Sequence, residues 1–149
     1  MTTRRFAETT KVPVSQSRGE IEKMLARHKC QQFGTAVDYL EMKARVQFTA
    51  HDRMVRFTVA VPDPKKFRRE QEHQQEERRI WRSLLLVIKA KLEAVETGIA
   101  TFEQEFLANI VMPNGRTVAE IVLPQIAESY ATGRMPLALA AGNPSEDEK

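Results

Sequence analysis

Two stretches of strict alternation, separated by a short turn signal, constrain this chain more than any other feature. In "MKARVQFT", Met42, Ala44, Val46 and Phe48 alternate with Lys43, Arg45, Gln47 and Thr49. In "VRFTVAV", Val55, Phe57, Val59 and Val61 form the apolar set, with Arg56 and Thr58 between them. Successive side chains of a strand point to opposite faces, so each stretch reads as a half-buried strand. "AHDR" lies between them, and a two-residue loop at His51-Asp52 sets Phe48 opposite Val55, Val46 opposite Phe57 and Ala44 opposite Val59. The same register sets Gln47 opposite Arg56 and Arg45 opposite Thr58 on the reverse face. A slip of one residue would turn every apolar side chain outward, so the agreement of both strands fixes the hairpin. Phe33 to Leu40 supplies a third strand. The expected sheet has one oily face and one face rich in Lys and Arg.

Around this sheet the periodicity is helical. "SRGE" at Ser17–Glu20 has the capping-box pattern, and Ile21, Met24, Leu25 and His28 follow at helical spacing, which predicts a helix over 18–30. Pro62 and Pro64 end the last strand. From Arg68 to Arg79, "RREQEHQQEERR" has no aliphatic or aromatic side chain, so it reads as a solvated helical extension or a flexible segment. Trp81, Leu84, Leu85, Ile88, Leu92 and Val95 then form one helical stripe, with Ile80, Leu86 and Val87 off it. A helix apolar over most of its circumference is buried by more than one neighbour, so the Trp81–Val95 segment is expected to pack on the sheet and under the later helices. Two further capping-box patterns, Thr101–Gln104 and Thr117–Glu120, start shorter helices, the second running to about Ala131 with Pro124 kinking or restarting it.

The fold expectation is therefore α+β: an N-terminal helix, a three-stranded antiparallel meander, a long central helix and two shorter C-terminal helices. A chain of 149 residues fits one domain, here 17–135, with a flexible arm at 1–16 and a tail at 136–149. No run of about 18 apolar residues is present, so no membrane-spanning helix is expected. The N-terminus lacks the apolar region of a signal peptide, and the single Cys30 cannot form an internal disulfide; both point to a reducing, cytoplasmic setting.

Charge is unevenly distributed. Residues 1–91 carry 20 Lys and Arg against 11 Asp and Glu, whereas residues 92–149 carry 3 against 9. Such asymmetry accompanies an anionic partner, or basic and acidic halves that face each other within or between subunits. The basic residues placed to meet phosphate are Lys43, Arg45 and Arg56 on the sheet face, Arg53 at the turn, and Lys65, Lys66, Arg68 and Arg69 at the strand-to-helix connection. Arg78, Arg79 and Arg82 come next. Their positive charge suits phosphate contact driven by counterion release. Aromatic residues are few, so base-stacking platforms are not evident.

Signals for chemistry are weak. No G-x-S-x-G, P-loop or G-x-G-x-x-G occurs. His28 and Cys30, two apart on a helix, would point apart. One Cys and three scattered His exclude the common structural zinc patterns. Glu93, Glu96, Glu103 and Glu105 could gather round a divalent ion where two helices meet, but exposed helix-face carboxylates are the commoner reading. No catalytic residue, metal or cofactor is assigned.

The run from "SRGEIEKML" through "RFTVAVPDP" to "WRSLLLVIKAKLEAVETGIATFEQEFLANIVMPNGRTVAE" resembles a family of small uncharacterised bacteriophage- and prophage-associated proteins, most specifically over Trp81 to Glu120. The resemblance implies a bacterial host cell and a role in handling DNA during replication or recombination, or in disarming host defences. It carries no catalytic residues. Two expectations follow. The first is a non-enzymatic nucleic-acid-binding accessory protein, DNA foremost. The second is a protein-binding module that inhibits a host enzyme or defence system, or assembles with itself, resting on the nearly all-round apolar helix.

Overall fold

A computed structural model describes residues 7–136. The elements run α1 (Val14–Arg27), β1 (Gln31–Asp38), β2 (Lys43–Ala50), β3 (Arg53–Ala60), α2 (Glu70–Glu96), α3 (Phe102–Phe106) and α4 (Val118–Thr132), with single 3-10 turns at Pro64–Lys66 and Leu107–Asn109. The three strands form one antiparallel sheet in the order β1-β2-β3. This is the α+β architecture expected from the alternation and the helical periods.

The hairpin has the register set by its apolar pattern: Ala44 opposite Val59, Val46 opposite Phe57, Phe48 opposite Val55. His51 and Asp52 have φ of 51° and 57°. Both central residues of the loop are thus left-handed, which makes the connection twist with the strands. β1 pairs with β2 from Asp38 opposite Lys43 to Gly34 opposite Gln47, with an irregularity before Gln31. In the β1–β2 turn the Asp38 carboxylate accepts from the backbone N–H groups of Leu40 and Glu41, at 2.9 and 3.0 Å. Those two bonds favour the ionised form and hold its pKa below the usual carboxylate value.

Ala44, Val46, Phe48, Val55 and Phe57 on the sheet, Ile21, Met24 and Leu25 on α1, and Trp81, Leu84, Leu85, Ile88 and Leu92 on α2 close one core. Phe106 of α3 is fully buried in it, edge-on to Phe48 and Phe57 at ring separations of 5.9 and 6.2 Å and stacked on Phe102 at 4.7 Å. The Thr101–Gln104 and Thr117–Glu120 capping boxes both form.

Two expectations need correction, and two open alternatives are narrowed. First, α1 starts at Val14, not beside Ser17. Pro13 has its ring-fixed φ of −59° at the N-cap, and its carbonyl accepts from the Ser17 N–H at 3.1 Å. Ser17 is therefore a fully buried interior residue and makes no cap, and residues 14–16 of the expected arm are helical. Residues 1–6 of that arm and 137–149 of the tail lie outside the described residues.

Second, of the two readings of the polar stretch before Trp81 the helical one holds from Glu70 onward, and polar contacts fasten it. Gln75 Nε2 donates to the carbonyls of Glu8 and Thr10, at 3.0 and 2.7 Å, and a ring nitrogen of His73 lies 2.8 Å from the Pro62 carbonyl. Third, Pro124 does not start a new helix: α4 runs unbroken from Val118 to Thr132. Proline removes the N–H that would bond the carbonyl four residues earlier, and Arg116 Nη2 takes that place, donating to the Glu120 carbonyl at 2.9 Å.

Fourth, α2 is covered on fewer sides than its composition suggested. α1 and α3 pack beside it, but α4 packs on the 107–109 turn instead. Val87 stays 47% exposed and Leu86 half-buried.

Candidate functional site

The reverse face of the sheet, away from α1, α2 and α3, carries Lys43, Arg45, Gln47 and Thr49 from β2 and Met54, Arg56 and Thr58 from β3. Lys43 and Arg45 are exposed. They share one acid: Glu41, in the turn before β2, lies 3.9 Å from Lys43 Nζ and 3.7 Å from Arg45 Nη2. At such exposure the pairs are weak, and the carboxylate offsets at most one of the two positive charges.

The end of the sheet that holds Lys43 also launches the strand-to-helix connection. Lys43 pairs with Ala60, and the Val61 N–H donates to the Met42 carbonyl at 2.8 Å. Five residues span at most about 17 Å, so Lys65 and Lys66 stay near this end of the sheet. The 3-10 turn that carries them is capped by Asp63, whose Oδ1 accepts from the Lys65 backbone N–H at 3.0 Å. Lys65, Lys66, Arg68 and Arg69 are all exposed, and none pairs with an acid among the described residues.

The structure divides the eleven basic residues singled out in the sequence. Lys43, Arg45, Lys65, Lys66, Arg68 and Arg69 form the sheet-end group just described. Arg53 sits at the opposite end, paired with Glu103 at 2.8 Å. Arg56 is half-buried: its Nε donates to Gln47 Oε1 at 2.7 Å and its Nη1 to the Gly115 carbonyl at 2.9 Å. It fastens the 112–117 turn to the sheet. Arg78, Arg79 and Arg82 belong to α2, on the other side of the sheet. Arg78 bonds Gln75 at 2.7 Å, Arg79 grips Glu76 through two nitrogens, and Arg82 meets Glu20 at 2.8 Å. The hydrogen bond that Arg79 donates to Glu76 pushes the Arg79 pKa up, and those donated by Gln16 and then Arg82 pull the Glu20 pKa down.

Sequence reasoning missed Glu41, which weakens the sheet-face pair. It set Gln47 opposite Arg56, and residues directly opposite on one face touch, but it still counted Arg56 among the free bases.

The other candidates stay apart. Glu105 pairs with Lys91 at 3.4 Å, Glu103 with Arg53, and Glu96 lies 3.9 Å from His28, so these carboxylates are spent on separate bases. Among the described residues no three His, Cys, Asp or Glu side chains gather as a metal site. Burial pushes the Cys30 thiol pKa up, which disfavours the thiolate a nucleophile needs. Among the described residues no helix is long and apolar enough to cross a membrane. Comparison with protein-family models, curated proteins and solved structures finds no match to this chain.

Proposed function

We propose that this chain is a non-enzymatic nucleic-acid-binding accessory protein, working on DNA in replication or recombination within the phage-type, host-cytoplasmic setting that the resemblance implies. Phosphates are held by Lys43, Arg45, Lys65, Lys66, Arg68 and Arg69, without sequence readout. The observation that supports this reading most is the row of four exposed bases at 65–69, free of acid partners among the described residues and adjoining the Lys43 end of the sheet. Bases already tied to acids, such as Arg53, Arg79 and Arg82, lose much of their attraction for a second anion and are left out of the interface.

A fluorescence-anisotropy titration with labelled single- and double-stranded oligonucleotides tests it. Binding with a micromolar Kd is expected at about 50 mM salt, where phosphate contacts are strong. No change in anisotropy under that condition contradicts the reading.

A further inference from the structure

α4 is a helix of 15 residues without one buried side chain. One face carries the half-buried Ala119 and the exposed Leu123, Ile126 and Tyr130, spaced four, three and four residues apart. This is the spacing of a coiled-coil seam. Leu123 is 59%, Ile126 40% and Tyr130 89% exposed. An aromatic side chain can bury roughly 150–250 Å², so Tyr130 alone offers a large part of an ordinary apolar contact.

α4 does not reach the outer face of its own α2. It leaves the outer edge of β3, where the Val111 N–H donates to the Met54 carbonyl at 2.8 Å and the Val118 N–H to Ile110 at 2.9 Å. From there it rests on the 107–109 turn.

The outer face of α2 is the second uncovered apolar surface. Ser83, Leu86, Val87 and Ala90 line a shallow depression of about 670 Å³, rimmed by Lys89 and Glu93. With Ala94 they form a stripe over residues 83–94, as long as the α4 stripe over 119–130. The two differ in kind. α4 offers Leu123, Ile126 and Tyr130, while α2 sets the small Ser83, Ala90 and Ala94 around Leu86 and Val87. Large side chains seated between small ones is the arrangement that fills a helix–helix seam, and Ser83, Ala90 and Ala94 leave that room on α2.

Charge agrees in sign. Between 118 and 132, α4 carries Glu120 and Glu128 and no Lys or Arg. A groove of about 640 Å³ between α1 and α2 adjoins the depression and shares Leu86 and Lys89 with it. Lys23, Arg27 and Arg82 line that groove with one acid, Glu20, which Arg82 and Lys23 face, while Arg27 and Lys89 have no acid partner among the described residues; bases therefore outnumber acids there.

We propose that two copies of this chain pair reciprocally, the apolar stripe of α4 from one copy lying along the outer face of α2 of the other. Each chain carries both surfaces, so in a two-fold arrangement the contact is made twice and the assembly stops at a dimer.

Sedimentation equilibrium of the full chain at about 50 μM, above a micromolar Kd, should give twice the monomer mass. Leu123→Glu should give the monomer with an unchanged circular-dichroism spectrum, since Leu123 is outside the core. Pairing is then mapped with Ala90→Cys and Ile126→Cys, each in a Cys30→Ala background, and a short bis-maleimide. A cross-linked dimer is expected only when the two variants are mixed. Four results would each overturn the proposal: a monomeric wild type, a dimeric Leu123→Glu variant, cross-linking of either cysteine variant alone, or none in the mixture.

Discussion

At the scale of single residues, stability concentrates in the aromatic centre of the core. Phe106 is fully buried and meets three other rings, with Lys91 Nζ 5.8 Å from its centroid. Truncation there leaves a cavity bounded by the sheet and α3. Phe106→Ala is expected to cost about 3–5 kcal/mol, read from the shift in urea midpoint at constant slope. Glu20 gives a pH-dependent term. Its carboxylate is stabilised by Gln16 and Arg82, so its folded-state pKa lies below the ordinary value of 4.5. Such a group contributes stability above its unfolded pKa, and that contribution is lost as pH falls through the folded pKa. The pair is partly solvated, which keeps the effect small. Urea midpoints measured between about pH 3 and 7 should therefore fall less steeply on the acid side in Arg82→Gln than in the wild type. An identical acid limb in both would show that Arg82 does not shift Glu20.

At the scale of elements, the hairpin and the capped helices were readable in the sequence because each is fixed by local rules. Alternation decides which way Val46 and Phe57 point, and Thr117 with Glu120 satisfies the first turn of α4. What could not be read depends on atoms far apart in the chain. Gln75 reaches the backbone at Glu8 and Thr10, and Arg116 replaces the bond lost at Pro124; neither contact has a periodic signature. The early start of α1 was obscured by a capping pattern that a buried serine happens to match. The turn also leaves room for improvement. Asp52 has φ of 57°, and the left-handed region costs a non-glycine residue roughly 1–2 kcal/mol. Asp52→Gly is expected to raise stability by up to about 1 kcal/mol, seen as a higher urea midpoint, because glycine adopts that conformation without steric cost while giving up some of the gain as unfolded-chain entropy. A lower midpoint would mean that Asp52 makes an energetically important contact of its own.

At the scale of the whole molecule, the layout separates two kinds of surface. Helices cover one face of the sheet. The reverse face and the loop after β3 carry the bases, while α2 and α4 present apolar stripes elsewhere. The sequence announced the cationic face through alternation, but it could not say which bases would keep their charge free. Partner choice is tertiary: Arg82 finds Glu20, 62 residues away in the chain, and Arg53 finds Glu103. The near-circumferential apolar character of α2 was likewise legible, whereas the helix expected to cover it turned elsewhere. Nucleic-acid contact is the claim on which the functional account rests, and its salt dependence is the direct test. Six phosphate contacts on duplex DNA predict that log K falls against log salt with a slope of about −5, and that replacing Lys65, Lys66, Arg68 and Arg69 by Ala reduces the slope to about −2. A slope near zero in the wild type, or one left unchanged by the four substitutions, would contradict it.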